Sequence, residues 1–167
     1  MRQRAAQIVE KGYKATKWFF RHGPTDGVEG IAQNLELART LREAVGPEVD
    51  IMLDCWMSWD VPYTIQMAQY LWEYRPRWIE EPVMPDKIAQ CAEIRRRIRT
   101  PIATGEHEYT RWGLKSLMDA GAADVAAIRG EVLRHQADLR NPRPCELRDL
   151  VADARRDART LFASELW

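Results

Sequence analysis

Three stretches decide the fold: VDIMLDCWMSWD at residues 49–60, RWIEEPVMPD at 77–86 and IATGEHEYTRWG at 102–113. Each carries a short apolar run that leads into an acid. Val49 to Leu53 is apolar at almost every position, the pattern of a parallel strand covered on both faces. Trp78-Ile79 stops at Glu80-Glu81-Pro82, and Pro101 to Thr104 reads as a strand that stops at Gly105-Glu106. Between them the apolar period changes from strand-like to helix-like. Ile65, Ala68, Leu71 and Trp72 form one helical stripe, and Ile88 to Ile98 form a helix with an exposed basic face.

The same alternation continues outward. Upstream, Ile31, Leu35, Ala38, Leu41 and Val45 share a helical face that Gly46-Pro47 ends. Before it lie a strand over Lys14 to Phe20, the turn RHGPTDG, and a short helix over Ala5 to Gly12. Downstream, Trp112 to Met118 is a helix with Gly121 as its cap, and Ala123 to Val125 starts another strand. Strands alternating with helices of this length predict βαβ units and a parallel sheet. The expected fold class is α/β: a partial (β/α)8 barrel of the TIM type, about strands 2 to 6.

Composition divides the chain near residue 125. Thirteen of the fifteen aromatic residues precede position 126, and only Phe162 and Trp167 follow it. The last 42 residues hold eight arginines and no lysine. So few large apolar groups offset little of the entropy of ordering a chain. The expectation is a folded part over 1–125 and an Arg-rich tail over 126–167, with a peripheral helix at best between Pro144 and Glu165. An abrupt change of this kind is what out-of-frame translation of a GC-rich gene produces.

The whole sequence of 167 residues carries 25 basic and 25 acidic groups. That balance provides no net field for a nucleic acid or an anionic membrane. No apolar run is long enough to span a bilayer, and the charged start MRQRAAQIVEKGYK lacks the apolar core of a secretory signal. Cys55, Cys91 and Cys145 show neither a disulfide framework nor a zinc pattern. A cytoplasmic location is expected, with neither nucleic acid nor membrane as partner.

The chemical signal lies in phase with the repeat. Asp54, Glu80 and Glu106 each close a strand, and the intervals between them are 26 residues each. In a barrel, successive strands end side by side on the face where βα loops build active sites. Three carboxylates there would repel unless a divalent cation joined them, and an all-oxygen set favours Mg²⁺. A single acid at a strand end is more often a helix cap or a solvated loop residue. Spacing alone leaves both readings open.

LDCWMSWDVPYT, RWIEEPVMPD and ATGEHEYTRWG resemble the barrel domain of the enolase superfamily, in its mandelate racemase branch. Within that branch the chain resembles the L-rhamnonate dehydratase-like acid-sugar dehydratases, to which KWFFRHGP and DCWMSWD also point. The resemblance covers about Ala5 to Val125. It implies Mg²⁺ held by Asp54, Glu80 and Glu106, at the ends of the third, fourth and fifth barrel strands. It implies a dehydratase reaction: a base removes the α-proton of a sugar acid, the ion stabilises the enediolate, and the β-hydroxyl leaves as water. It also implies a homo-oligomer for the full-length protein.

The resemblance makes His107 a candidate catalytic residue, either touching substrate at the mouth or serving as a structural histidine. Lys17, His22 and Trp56 are candidate substrate-binding residues. Lys17 matches the first lysine of a K-x-K motif whose second position is Phe19 here, which argues against a lysine base on that strand. Glu81 and Asp60 read as supporting or loop charges, and Trp56, Trp59 and Trp112 as either pocket-lining or packing residues.

The sequence departs from the family pattern after Val125. Arg129 stands where an aspartate that orients a catalytic histidine is expected, and His135 lacks the usual Pro-His-Gly setting. The family's capping domain is not expected in this sequence, and the first strand is expected to be absent or to lie upstream of Met1. The expectation is therefore an incomplete dehydratase that keeps its metal ligands but not its base. Alternatives are a non-catalytic remnant that at most binds a divalent metal, a racemase-branch enzyme acting on another sugar acid, and assembly with a chain that supplies the missing strands.

Overall fold

A computed structural model describes residues 1–127 of the chain. The expected α/β order holds. The strands are β1 (Ala15–Phe19), β2 (Asp50–Asp54), β3 (Trp78–Glu80), β4 (Ile102–Thr104) and β5 (Val125–Ala126). The helices are α1 (Arg2–Glu10), α2 (Gly27–Val45), α3 (Val61–Leu71), α4 (Ile88–Arg97) and α5 (Arg111–Asp119). The strands form one five-stranded sheet in sequence order, and every neighbouring pair is parallel. This is an arc of a (β/α) barrel, with consecutive strands adjacent and a helix between each pair. The tail, its peripheral helix, Arg129 and His135 lie outside the described residues.

Register decides which side chains share a face. Lys17 pairs with Met52, Phe19 with Asp54, Asp54 with Glu80, and Glu80 with Ala103. Because side chains alternate along a strand, Lys17, Met52, Asp54, Trp78, Glu80 and Ala103 lie on one face. Ile51, Leu53, Ile79 and Ile102 lie on the other, where α1 to α4 pack over a fully buried core with Leu41, Met67, Leu71 and Ile94. The first face has a much smaller apolar cluster of Met52, Trp78 and Ala103.

Helix ends follow from the sequence nearby. Asp60 Oδ1 accepts from Tyr63 N at 2.8 Å, so it caps α3. Thr110 Oγ1 accepts from Gly113 N at 3.1 Å and caps α5. After α3 the chain tightens into a 3-10 turn at Trp72–Tyr74, and Arg75 turns through φ +50° before Pro76. Arg42 holds the opposite end of the sheet together, donating to the carbonyls of Gly46, Val49 and Tyr74 at 2.7, 2.8 and 3.0 Å.

Candidate functional site

The loops at the C-terminal ends of β2, β3 and β4 all begin with backbone outside the usual regions. Trp56 and Met57 have φ of +45° and +62°, Glu81 has φ +41°, and Gly105 has φ +112°. Left-handed backbone at Trp and Glu is costly and persists only where the surroundings impose it. Here the imposing contacts are a ladder that outlasts the strands: Cys55 N, Met57 N and Trp59 N donate to the carbonyls of Glu80, Glu81 and Pro82 at 2.9, 2.7 and 2.9 Å. That ladder fixes where Asp54 and Glu80 sit.

Both carboxylates are buried and turn toward one cation. Lys17 Nζ lies 3.0 Å from Asp54 Oδ2 and 2.9 Å from Glu80 Oε1. The remaining oxygens are also engaged: Trp56 N donates to Asp54 Oδ1 at 2.9 Å and Trp78 Nε1 to Glu80 Oε2 at 3.0 Å. Burial alone would depress the Lys17 ammonium, but the hydrogen bond and charge of Glu80, then those of Asp54, raise its pKa above the ordinary value. Cys55 lies behind Asp54, and burial, then the charges of Asp54 and Glu80, push its thiol far up. It is not a nucleophile at neutral pH.

A second group lies one strand along. His107 Nδ1 is 2.7 Å from Glu81 Oε2 and 4.0 Å from Glu106 Oε1, the first a close contact that lacks the alignment of a good hydrogen bond. Glu81, Glu106 and His107 each offer a ligand atom, and these lie within 4.8 Å of one another. Burial pushes the Glu81 carboxyl up, His107 pulls it back, and Glu106 pushes it up again, for a net rise. The structure thus divides the three acids that are in phase in the sequence. Asp54 and Glu80 meet through Lys17, while Glu106, two residues past β4, sits with Glu81 and His107.

The other candidates take varied positions. Trp56 is 64% exposed above the loop after β2. Trp59 is buried between Phe20 and Tyr63, with ring centroids 4.8 and 5.1 Å away, which makes it a packing residue. Trp112 is exposed on α5. His22 is tied to its own loop: its Nδ1 lies 3.7 Å from Asp26 Oδ2, and its carbonyl accepts from Asn34 Nδ2 and Trp59 Nε1 at 2.9 Å each. Asp60 is a helix cap rather than a site charge. Two participants carry more than the sequence suggests: Glu81, signalled only by the doubled acid before proline, and Trp78, whose indole orients Glu80.

Comparison with known proteins identifies the family of the chain and the solved structures it resembles. The sequence model of the enolase C-terminal domain-like family matches residues 1–130. L-rhamnonate dehydratase of Saccharopolyspora erythraea is 42% identical over 118 residues, which cover 70% of this chain and 30% of that protein. The crystal structure of rhamnonate dehydratase from Gibberella zeae complexed with Mg superposes with a TM-score of 0.68 at 35% identity, covering 73% of this chain and 30% of that one. The enolase from Bradyrhizobium complexed with magnesium and mandelic acid gives a TM-score of 0.67 at 30% identity, covering 75% of this chain and 33% of that one. The chain therefore spans about a third of the length of these relatives. Among the described residues, no helix is long and apolar enough to cross a membrane.

Proposed function

Because the chain belongs to the enolase C-terminal domain-like family, we propose that it carries the metal-holding segment of an Mg²⁺-dependent acid-sugar dehydratase of the L-rhamnonate type. One observation supports this above the rest: the buried carboxylates of Asp54 and Glu80, on adjacent strand ends, converge on a single cation at 3.0 and 2.9 Å. The Lys17 ammonium stands in for an ion there, so an all-carboxylate donor set suits a hard divalent metal. In this reading Asp54, Glu80 and Glu106 hold Mg²⁺. When bound, the ion would neutralise the carboxylate of a sugar acid and the charge that develops as its α-proton leaves.

The residues of the chain itself prepare the site for that chemistry. Trp78 and the Trp56 backbone hold Glu80 and Asp54 through one oxygen each, which leaves the other oxygen of each turned to the shared cation. His107 lies at the mouth with Nδ1 against Glu81, so the free edge of its ring is the part available to a substrate hydroxyl. Exposed Trp56 can cover an apolar edge of the sugar, while Lys17 and His22 are further candidate contacts. The domain boundary near residue 125, with an Arg-rich tail over 126–167, is proposed on composition, although the family match runs on to residue 130.

The test is L-rhamnonate binding to the purified chain, followed by calorimetry with and without saturating Mg²⁺. The proposal expects binding heat only with the metal. Equal binding in its absence would contradict a metal-held carboxylate. A second reading is metal binding without turnover by this stretch of chain. It expects no 2-keto-3-deoxy acid above trace from the chain alone, and steady product formation would overturn it.

A further inference from the structure

Each of the four oxygens of Asp54 and Glu80 already has a donor from the chain itself. Two donors are fixed, the Trp56 amide at 2.9 Å and the packed Trp78 indole at 3.0 Å. The third, the Lys17 ammonium, serves the two remaining oxygens, and it alone is charged and carried on a flexible stem. Its side chain is 33% exposed, whereas Asp54 and Glu80 are 3% and 5% exposed at their side chains. The cation is therefore the one part of the cluster with a route outward.

We propose that Lys17 determines which cations the site admits: its ammonium is the resident counter-ion of Asp54 and Glu80, and a divalent ion enters by exchange with it. The proposal rests on the metal-site reading above and adds a competitor to it. Two carboxylates and one ammonium carry a net charge of −1. Replacing the ammonium with Na⁺ or K⁺ leaves that charge unchanged and gives up two charge-assisted hydrogen bonds. A divalent ion gains a full unit of attraction between buried acids, where screening by salt is weak. Lys17 thus sets a threshold that monovalent ions do not pass. Without Lys17, two buried carboxylates would face each other unneutralised, and any small cation would be drawn in.

The experiment is a calorimetric titration of Mg²⁺ into the full 167-residue chain as wild type, Lys17→Met and Glu80→Gln. Removing the competitor is expected to tighten Mg²⁺ binding by about tenfold or more, ~1.4 kcal/mol. It is also expected to give the Lys17→Met chain a K⁺-dependent rise in melting temperature that the wild type lacks. Equal or weaker Mg²⁺ binding by Lys17→Met, with binding still lost in Glu80→Gln, overturns the Lys17 proposal and leaves the metal site standing. Absence of Mg²⁺ binding in all three chains overturns both. Should Lys17→Met fail to fold, the wild type decides. Acylation of the Lys17 amine, read by peptide mass spectrometry, is expected to rise several-fold when saturating Mg²⁺ displaces it from the two carboxylates. Unchanged labelling of Lys17 with Mg²⁺ bound overturns the exchange.

Discussion

The two faces of the sheet are built for different ends. On the helix-packed face, Ile51, Leu53, Ile79 and Ile102 are at most 2% exposed and touch a continuous core shared with α2, α3 and α4. On the other face, three residues, Met52, Trp78 and Ala103, make up the buried apolar cluster, and Lys17 from the middle of β1 reaches Asp54 and Glu80 at the strand ends. One face carries most of the hydrophobic stabilisation, while the other uses burial to make charges interact strongly. The side of a strand that a residue occupies therefore predicts whether its loss costs stability or chemistry.

The sharpest test of that division is Leu53→Ala, one residue before Asp54 and on the opposite face. Leu53 is fully buried, so the substitution is expected to cost about 2–5 kcal/mol in denaturant unfolding while leaving the Mg²⁺ affinity of the folded fraction unchanged. A large affinity change would break the comparison.

Asn34→Ala is expected to cost less, about 1–3 kcal/mol. Asn34 is buried and donates to the His22 carbonyl at 2.9 Å and to Tyr63 Oη at 3.3 Å, anchoring the loop after β1. Unfolding curves of the two chains measure it.

Cys91 gives the helix-packed face a pH signature. Its Sγ donates to the Ala122 carbonyl at 3.3 Å, and burial first, then the charges of Glu81 and Asp124, push the thiol up to about 11 from 9.0. The native state holds this proton when the unfolded chain has lost it. Its contribution is therefore full below pH 9 and is lost as pH rises toward 11. Across that window the wild type should lose up to about 1.4 kcal/mol per pH unit more than Cys91→Ala. Parallel stability profiles would contradict the assignment. The smallest effect is expected for Trp56→Ala: at 64% exposure, stability should stay within about 0.5 kcal/mol while L-rhamnonate binding weakens. Unchanged sugar-acid binding would remove Trp56 from the site.

Much of the fold was legible because parallel strands and amphipathic helices have different apolar periods. IMLD marks β2 since both faces of that strand are covered, and Gly46 marks the end of α2 because the chain there turns through φ +73°. The start of α3 was less legible. Asp60 reads as a loop charge until its side chain is seen capping Tyr63. Within the site, the 26-residue spacing selected Asp54, Glu80 and Glu106. Spacing places side chains on strand ends but carries no information about loop torsion. Gly105 at φ +112° directs Glu106 toward Glu81 and His107, and Glu81 at φ +41° enters the buried cluster rather than facing solvent. Those outcomes depend on backbone strain that adjacent loops impose on one another.

The account stands most directly on one titration of Mg²⁺ into the wild-type chain and into Glu80→Gln. It predicts one ion per chain for the wild type and an affinity at least tenfold weaker for Glu80→Gln, about 1.4 kcal/mol or more. Equal binding by both chains, or none by the wild type, would contradict a divalent site on the strand ends.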